Sequence, residues 1–163
     1  MKKASKMTFL ALSITLALIL SFVESQIPAM MAVPGIKVGL PNIAIIFVLY
    51  RYGVRYAAAV SFVRMAVVAL LFGNPMTFVY SLAGAALSLL VMSLLRRLDF
   101  LSIVGVSVAG GVFHNVGQIL MAMLLLGTAE LGYYLIVLAI TGTVSGIFVG
   151  LCGGFAVRRV RIR

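Results

Sequence analysis

The chain contains very few acidic residues and a single cysteine. Of its 163 residues, three are Asp or Glu (Glu24, Asp99 and Glu130), and Cys152 is the one cysteine. With so few acidic residues and one cysteine, the chain has no aspartate pair for magnesium, no H-E-x-x-H zinc motif and no internal disulfide. It also contains no glycine-rich phosphate loop with its lysine. The sequence therefore predicts no catalytic residue, no metal site and no cofactor, and we do not expect an enzyme.

Charge is scarce and apolar runs are long. Charged residues make up 10% of the chain and hydrophobic residues 64%, and the mean hydropathy is +1.24. These values are typical of a polytopic membrane protein. Because a spanning helix needs about 20 mainly apolar residues, a chain of this length has room for at most six spans. We predict an all-α protein, with one six-helix transmembrane bundle forming a single domain over residues 1–163.

Turn signals and basic pairs divide the apolar sequence into six helices. The basic N-terminus resembles a secretory signal, but its apolar run is long and lacks a small-residue cleavage site, which indicates a retained first helix. After it comes "VPGIKVGLPN", residues 33 to 42, whose glycines and prolines predict a non-helical bend. The predicted helices cover residues 7–23, 42–50, 57–72, 77–95, 101–126 and 133–157.

The positive charges lie almost entirely on one side of these six spans. Such asymmetry sets the topology of membrane proteins, with the basic side in the cytoplasm. It predicts cytoplasmic N- and C-termini, and it accounts for the net charge of +10 without nucleic-acid binding. Of the thirteen Lys and Arg residues, all except Lys37 and Arg64 are on that side: Lys2, Lys3, Lys6, Arg51, Arg55, Arg96, Arg97, Arg158, Arg159, Arg161 and Arg163.

Three helices carry small residues at four-residue spacing, and the weakest case is helix four with Ser81, Gly84, Ala85 and Ser88. In helix six the repeat is Gly142, Gly146, Gly150 and Gly154. Small residues at this spacing let neighbouring helix backbones approach closely in a membrane, so the repeat predicts helix packing. Helix one has the equivalent spacing in Ser13, Ala17 and Ser21, which is consistent either with packing inside the chain or with docking of another membrane protein.

One charged residue, Arg64, falls near the middle of helix three. A charge at the bilayer centre costs roughly 2.5 kcal/mol or more, so it requires a compensating partner, a cavity or a ligand. Glu24, at the outer end of helix one, is the acid nearest to that depth. Two interpretations follow: a structural Arg64–Glu24 pair, or an arginine that meets an anion in a cavity.

Helix five carries a polar stripe. His114 and Gln118 are one turn apart on the same face, Asn115 lies at the edge of that face, and Ser107 and Gly111 continue the line. Such a stripe must face the bundle interior, because lipid cannot satisfy its hydrogen bonds. It serves either in hydrogen bonds between helices or as the lining of a ligand site.

The bend and the next outer loop add further polar residues, namely Lys37, Asn42 and Asn74. Non-helical backbone at membrane depth is tolerated where it lines a cavity. Lys37 alone is explained by snorkelling to lipid headgroups. Together with Arg64 and His114, however, it would suit a pocket for a phosphate, diphosphate or carboxylate.

The chain resembles a small bacterial membrane family in four consecutive segments, "IPAMMAVPGIKVGLPN", "YRYGVRYAAAVSFVR", "VYSLAGAALSLLVM" and "VGVSVAGGVFHNVGQ". The similarity runs from about residue 8 to 155, and P-G-x-K-x-G-L-x-N and H-N-x-G-Q are its specific motifs. The family is known as Gx transporters or heptaprenyl diphosphate synthase component I. It is in turn similar to the substrate-binding S components of energy-coupling factor transporters.

The resemblance to S components implies a function. Those proteins are six-helix bundles that bind a vitamin or related nutrient near the outer face, capped by the first loops. They dock through an Ala-x-x-x-Ala pair of helix one onto a transmembrane subunit driven by two ATPases. The implied capping residues are Lys37 and Asn42, the implied lining residues are Arg64, His114, Asn115 and Gln118, and the nearest docking pairs are Ala11 with Thr15 and Ser13 with Ala17.

Three functional hypotheses follow. The first is a substrate-binding subunit in the bacterial cytoplasmic membrane that takes up a small anionic or amphipathic nutrient or cofactor precursor with separate coupling and ATPase subunits. The second is a non-catalytic accessory subunit of prenyl diphosphate or quinone biosynthesis, since known prenyl synthases use aspartate-rich magnesium sites and this chain has one aspartate. The third is a scaffold whose polar residues only hold helices together.

Overall fold

The computed structural model describes residues 3–26, 39–71, 73–98 and 100–160, and every regular element in these ranges is a helix. A short 3-10 helix, Ala129–Tyr134, leads into the last of the six α-helices. The prediction of an all-α, six-helix bundle is confirmed. The helices are α1 Lys3–Gln26, α2 Asn42–Tyr52, α3 Val54–Leu71, α4 Pro75–Leu95, α5 Ile103–Leu126 and α6 Leu135–Arg159.

Five of these helices are long and apolar enough to cross a membrane, and α2 is not. With 11 residues, α2 is about 16 Å long, whereas the hydrocarbon core of a bilayer is about 30 Å thick. The predicted bend falls mainly outside the described residues. Its described end, from Gly39 to Pro41, is a non-helical turn in which Gly39 has a φ of +77° and accepts a 2.9 Å hydrogen bond from the amide of Asn42.

The shortest helix forms the centre of the bundle. α2 contacts α1, α3 and α6. Its buried side chains belong to the apolar core of the described residues: Ala44, Ile45, Ile46, Val48 and Leu49. Val48 and Leu49 have no exposed surface. An apolar helix of this length is therefore held by its neighbours rather than by lipid.

Glycines bring α5 close to α6. A Cβ atom at Gly146 would lie 2.6 Å from Val108 Cα, and one at Gly150 would lie 2.7 Å from Val104 Cα. Gly142 lies equally close to the backbone of Gly111. Three members of the predicted glycine repeat therefore face α5 at backbone contact distance.

The fourth member of the repeat, Gly154, is placed differently. The atoms nearest to a Cβ there belong to Ile103 and are 3.7 Å or more away, which is ordinary van der Waals contact. Gly153 provides close contact on another side of α6, where its Cβ position is 2.8 Å from Ile46 of α2. The contact surface thus changes from α5 to α2 towards the end of α6.

The small-residue stripe of α1 faces the bundle. Ser13, Ala17 and Ser21 are buried, and both serine hydroxyls donate 2.8 Å hydrogen bonds to carbonyls of their own helix. Of the residues implied in docking, Ser13 and Ala17 are therefore covered by the chain itself, whereas Ala11 and Thr15 are exposed.

Arginines connect the helix ends at one end of the bundle, which we call the basic end. There the Arg51 guanidinium donates to the carbonyls of Val157 and Val160 at the end of α6. The Arg96 guanidinium donates to the last carbonyls of α2. Carbonyls at a helix C-terminus lack partners within the helix and carry partial negative charge, so cations stabilise them. The basic end is formed by Lys6, Arg51, Arg55, Arg96, Arg97, Arg158 and Arg159.

Arg96→Gln is expected to lower the free energy of unfolding by about 1–2 kcal/mol, because it removes charge-assisted hydrogen bonds to Leu49 and Tyr50 at a partly exposed site. It also removes the guanidinium that lies 5.1 Å from the centre of the Tyr50 ring. Denaturant titration in detergent micelles measures the change. Arg97→Gln, which removes the same charge from the neighbouring exposed residue, serves as the control; equal losses in the two variants would contradict a capping role.

Candidate functional site

A polar cavity of about 40 Å³ lies inside the bundle, and all six α-helices contribute to its wall. This volume is room for about three water molecules. The wall contains both signs of charge, an imidazole, three amide side chains and two hydroxyls. Its residues are Glu24, Gly39, Pro41, Asn42, Arg64, Ser81, Gly111, His114, Asn115, Gln118 and Ser145.

Six of the eight residues predicted to bind a ligand line this one cavity. They are Glu24, Asn42, Arg64, His114, Asn115 and Gln118. Lys37 lies outside the described residues. Asn74 is placed elsewhere: its side chain accepts a 2.8 Å hydrogen bond from the amide of Thr77, and its own amide donates to the Thr77 hydroxyl. Asn74 thus caps α4, as expected of an asparagine that precedes a helix-starting proline.

The cavity lies about halfway along the bundle. Asn42 is ten residues before the end of α2, and Arg64 is ten residues after the start of α3. At 1.5 Å per residue, each is roughly 15 Å from the turn that joins the two helices at the basic end. His114 is eleven residues into α5, at roughly 16 Å from the start of that helix. From this level the cavity extends towards the opposite end of the bundle, because Glu24 lies twenty-one residues after the start of α1, at roughly 30 Å.

Arg64 reaches the cavity with part of its hydrogen-bonding capacity unused. Its Nη1 donates a long, 3.4 Å hydrogen bond to the Ser21 hydroxyl. Its Nε is buried and has no hydrogen-bond partner among the described residues. The negative charge of Glu24 acts favourably on the guanidinium. A buried donor without a partner is costly, by about 1–3 kcal/mol, so this nitrogen is available to an acceptor that enters the cavity.

Glu24 connects the end of α1 to the start of α2. Its carboxylate Oε1 accepts a 2.5 Å hydrogen bond from the backbone amide of Gly39. Gly39 has a positive φ, and the turn that it begins leads into Asn42 at the first position of α2. Glu24 therefore holds a carboxylate at the cavity wall, close to both a helix N-terminus and Arg64.

The polar stripe of α5 meets α4 at a glycine. A Cβ atom at Gly84 would lie 3.2 Å from His114 Cε1 and 2.8 Å from Gln118 Cγ. Only glycine fits at this position. Gly84 therefore allows α4 to pack closely against the face of α5 that carries His114 and Gln118. Both side chains are directed along this contact into the cavity wall.

Asn115 has a structural partner as well as a place in the wall. Its Nδ2 donates a 2.7 Å hydrogen bond to the carbonyl of Leu138 in α6. The hydrogen-bonding interpretation of the stripe thus describes Asn115, which also belongs to the cavity wall. Among the described residues, no three of His, Cys, Asp and Glu are grouped as a metal site would require.

Five residues of the cavity wall were not among the predicted ligand-binding residues: Gly39, Pro41, Ser81, Gly111 and Ser145. Ser81 lies beside the small residues of α4 and Ser145 beside the glycine repeat of α6, where a serine is indistinguishable from a packing residue. One signal was available in Ser81, which precedes Gly84 by three residues and so shares a face with it. Gly39 contributes a backbone amide, which no side-chain pattern reveals.

A family model matches most of the chain. The model of the family described as heptaprenyl diphosphate synthase component I matches residues 13–156, a range that contains every residue of the cavity wall. No curated protein and no solved structure matches the chain. On the strength of that family match, this multi-pass, all-helical chain belongs to the heptaprenyl diphosphate synthase component I family.

Proposed function

We propose that the protein is a substrate-binding membrane subunit that takes up a small anionic nutrient or cofactor precursor, without catalysing a reaction itself. The observation that supports it most is the cavity inside the bundle at which the buried Nε of Arg64 has no partner among the described residues. A charged residue that faces a cavity inside a membrane is by default a candidate for a ligand or ion site.

Different residues of the cavity wall are proposed to bind different parts of the ligand. Arg64 attracts the anionic group, and its planar guanidinium offers paired donors to a carboxylate or phosphate. His114, Asn42 and Gln118 lie around the same space and supply neutral hydrogen bonds that orient the rest of the ligand. Asn115 connects α5 to α6 through its hydrogen bond to the carbonyl of Leu138.

The basic end is proposed to face the cytoplasm of a bacterial cell, as the distribution of positive charge favours. The ligand then enters from the opposite, outer face. The loop that contains Lys37 would cap the cavity there, in line with the sequence prediction. The small size of the cavity, about 40 Å³, is consistent with a site that widens when a ligand enters.

Transport would require partners, because the sequence has no nucleotide-binding motif. A transmembrane coupling subunit and ATPases in trans, as used by energy-coupling factor transporters, are the proposed partners. The surface proposed for docking is the side of α1 that faces away from the bundle. It presents Ala11 and Thr15 among exposed apolar residues such as Leu12 and Leu16.

The test is native mass spectrometry of the detergent-purified protein beside Arg64→Gln. The parent is expected to carry a small anionic adduct, and Arg64→Gln is expected to lose at least nine tenths of it, because a charge-assisted contact is worth tenfold or more in affinity. Arg97→Gln removes the same charge at the exposed basic end and should keep the adduct. An adduct that survives in Arg64→Gln would contradict the proposal.

The family description favours a second function, a membrane accessory subunit in prenyl diphosphate biosynthesis that binds without catalysing. In that case a diphosphate group would lie at Arg64. The partners distinguish the two functions: mild-detergent purification from native membranes should retain ATPases with an uptake subunit and a soluble synthase with an accessory subunit.

A further inference from the structure

The carboxylate of Glu24 occupies a position suited to a ligand. It lies in the cavity wall and accepts a hydrogen bond from a backbone amide, that of Gly39, at 2.5 Å. That amide precedes the first residue of α2 by three positions, and the first amides of α2 itself, those of Asn42, Ile43 and Ala44, already donate to carbonyls of the turn. Glu24 thus marks a place in the wall at which a backbone amide binds a carboxylate.

The same carboxylate acts on the residue that a ligand would need. Its charge interacts favourably with the Arg64 guanidinium. The guanidinium is nevertheless not saturated, because its Nε has no partner among the described residues and its Nη1 has only the 3.4 Å contact with Ser21. Arg64 is thus held near an internal anion that satisfies it incompletely.

From this geometry we infer that Glu24 is an internal competitor for the binding site, and that the ligand is a carboxylate which competes with it for the charge of Arg64. The inference rests on the proposed function and assigns the ligand class of that same cavity. The ligand carboxylate takes the unpartnered Nε of Arg64 and competes with Glu24 for the amide of Gly39. When the site is empty, Glu24 supplies an opposite charge in the same wall, so Arg64 is not an uncompensated charge inside the bundle.

The contact that Glu24 already makes favours a carboxylate as the ligand. The amide of Gly39 donates to one carboxylate oxygen of Glu24. Another carboxylate can take that place with little rearrangement of the wall, whereas a diphosphate with its two tetrahedral groups would require more.

The experiment measures butyrate binding to the detergent-purified parent, Glu24→Gln and Arg64→Gln from the ligand-dependent rise in melting temperature, with sodium chloride at equal ionic strength as the blank. Glu24→Gln is expected to bind butyrate at least about tenfold more tightly than the parent, because it removes a like charge from a poorly solvated site. Arg64→Gln should lose binding, and so should the double variant.

Two further arms complete the test. Glu130→Gln, which removes the same charge from the exposed 3-10 helix, should bind as the parent does. Glu24→Asp keeps the charge but shortens the reach to Gly39, so it should give a smaller gain; it decides the question if Glu24→Gln does not fold. Inorganic phosphate replaces butyrate in a parallel series, and tighter phosphate binding would overturn the carboxylate assignment.

The outcomes separate this inference from the proposed function. Arg64-dependent butyrate binding that is unchanged or weaker in the folded Glu24 variants overturns the competitor role and leaves the uptake function in place. Failure of both the folded parent and Glu24→Gln to bind either anion overturns the inference and the anion-binding function together.

Discussion

Gly146→Ala is expected to lower the free energy of unfolding by roughly 1–3 kcal/mol or more, which is a large effect for one methyl group. The new Cβ would lie 2.6 Å from Val108 Cα and 2.9 Å from the Ser107 carbonyl oxygen, and both are backbone atoms that cannot turn aside. α5 and α6 would have to separate and lose close contact along their length. Unfolding by sodium dodecyl sulfate in mixed micelles measures the loss.

Gly154→Ala is the matched control, since both glycines belong to the same repeat of α6. Its Cβ would meet Ile103 at 3.7 Å or more, which is ordinary contact. Alanine also favours a helix over glycine by about 1 kcal/mol. Gly154→Ala should therefore be neutral or slightly stabilising. Equal losses in the two variants would show that backbone contact does not distinguish these positions.

Leu49→Ala is expected to cost about 2–5 kcal/mol of unfolding free energy, because it leaves a cavity in the centre of the bundle. Leu49 has no exposed surface and belongs to the core cluster with Ile46 and Val48. In lipid the loss is one of packing contacts rather than of transfer from water, but buried contacts are lost in either case. The same micelle titration, or the melting temperature, reports it.

Leu70→Ala gives the comparison, because Leu70 is 86% exposed and faces the surroundings of the bundle. Its expected effect is within about 0.5 kcal/mol. A leucine on the lipid side of α3 should thus be replaceable where one in short α2 is not. A loss at Leu49 as small as that at Leu70 would contradict the central position of α2.

The sequence located the polar wall well because polar residues are rare in this chain. Lipid offers no hydrogen bonds, so Arg64, His114 and Gln118 must face the interior of the bundle. Residues that face the interior at the same depth lie close together. The same physical constraint explains why the six-helix architecture was predictable from hydropathy and charge. The direction in which a polar side chain faces is therefore easier to predict in a membrane protein than in a water-soluble one.

Small and apolar residues gave no such guidance. Lipid is as apolar as a packed interior, so hydropathy does not determine the rotation of a helix about its own axis. Ser13 and Ala17 therefore remained compatible with docking or packing until their burial was known, and Gly154 was indistinguishable from Gly146. Asn74 caps α4. It was grouped with the cavity because an asparagine near the membrane surface can either line a cavity or cap a helix, and the sequence alone does not distinguish these two roles.

The half-length of α2 has an electrical consequence. In the orientation proposed above, an ion that enters from the outer face and is held beside the first residues of α2 would cross about half of the transmembrane potential. The full potential amounts to about 2.3 kcal/mol per elementary charge for each 100 mV, so half of it is about 1.2 kcal/mol. A potential of about 100 mV, negative inside, would then weaken occupancy by an external monoanion roughly sevenfold, and a proton bound together with the ligand would relieve that penalty.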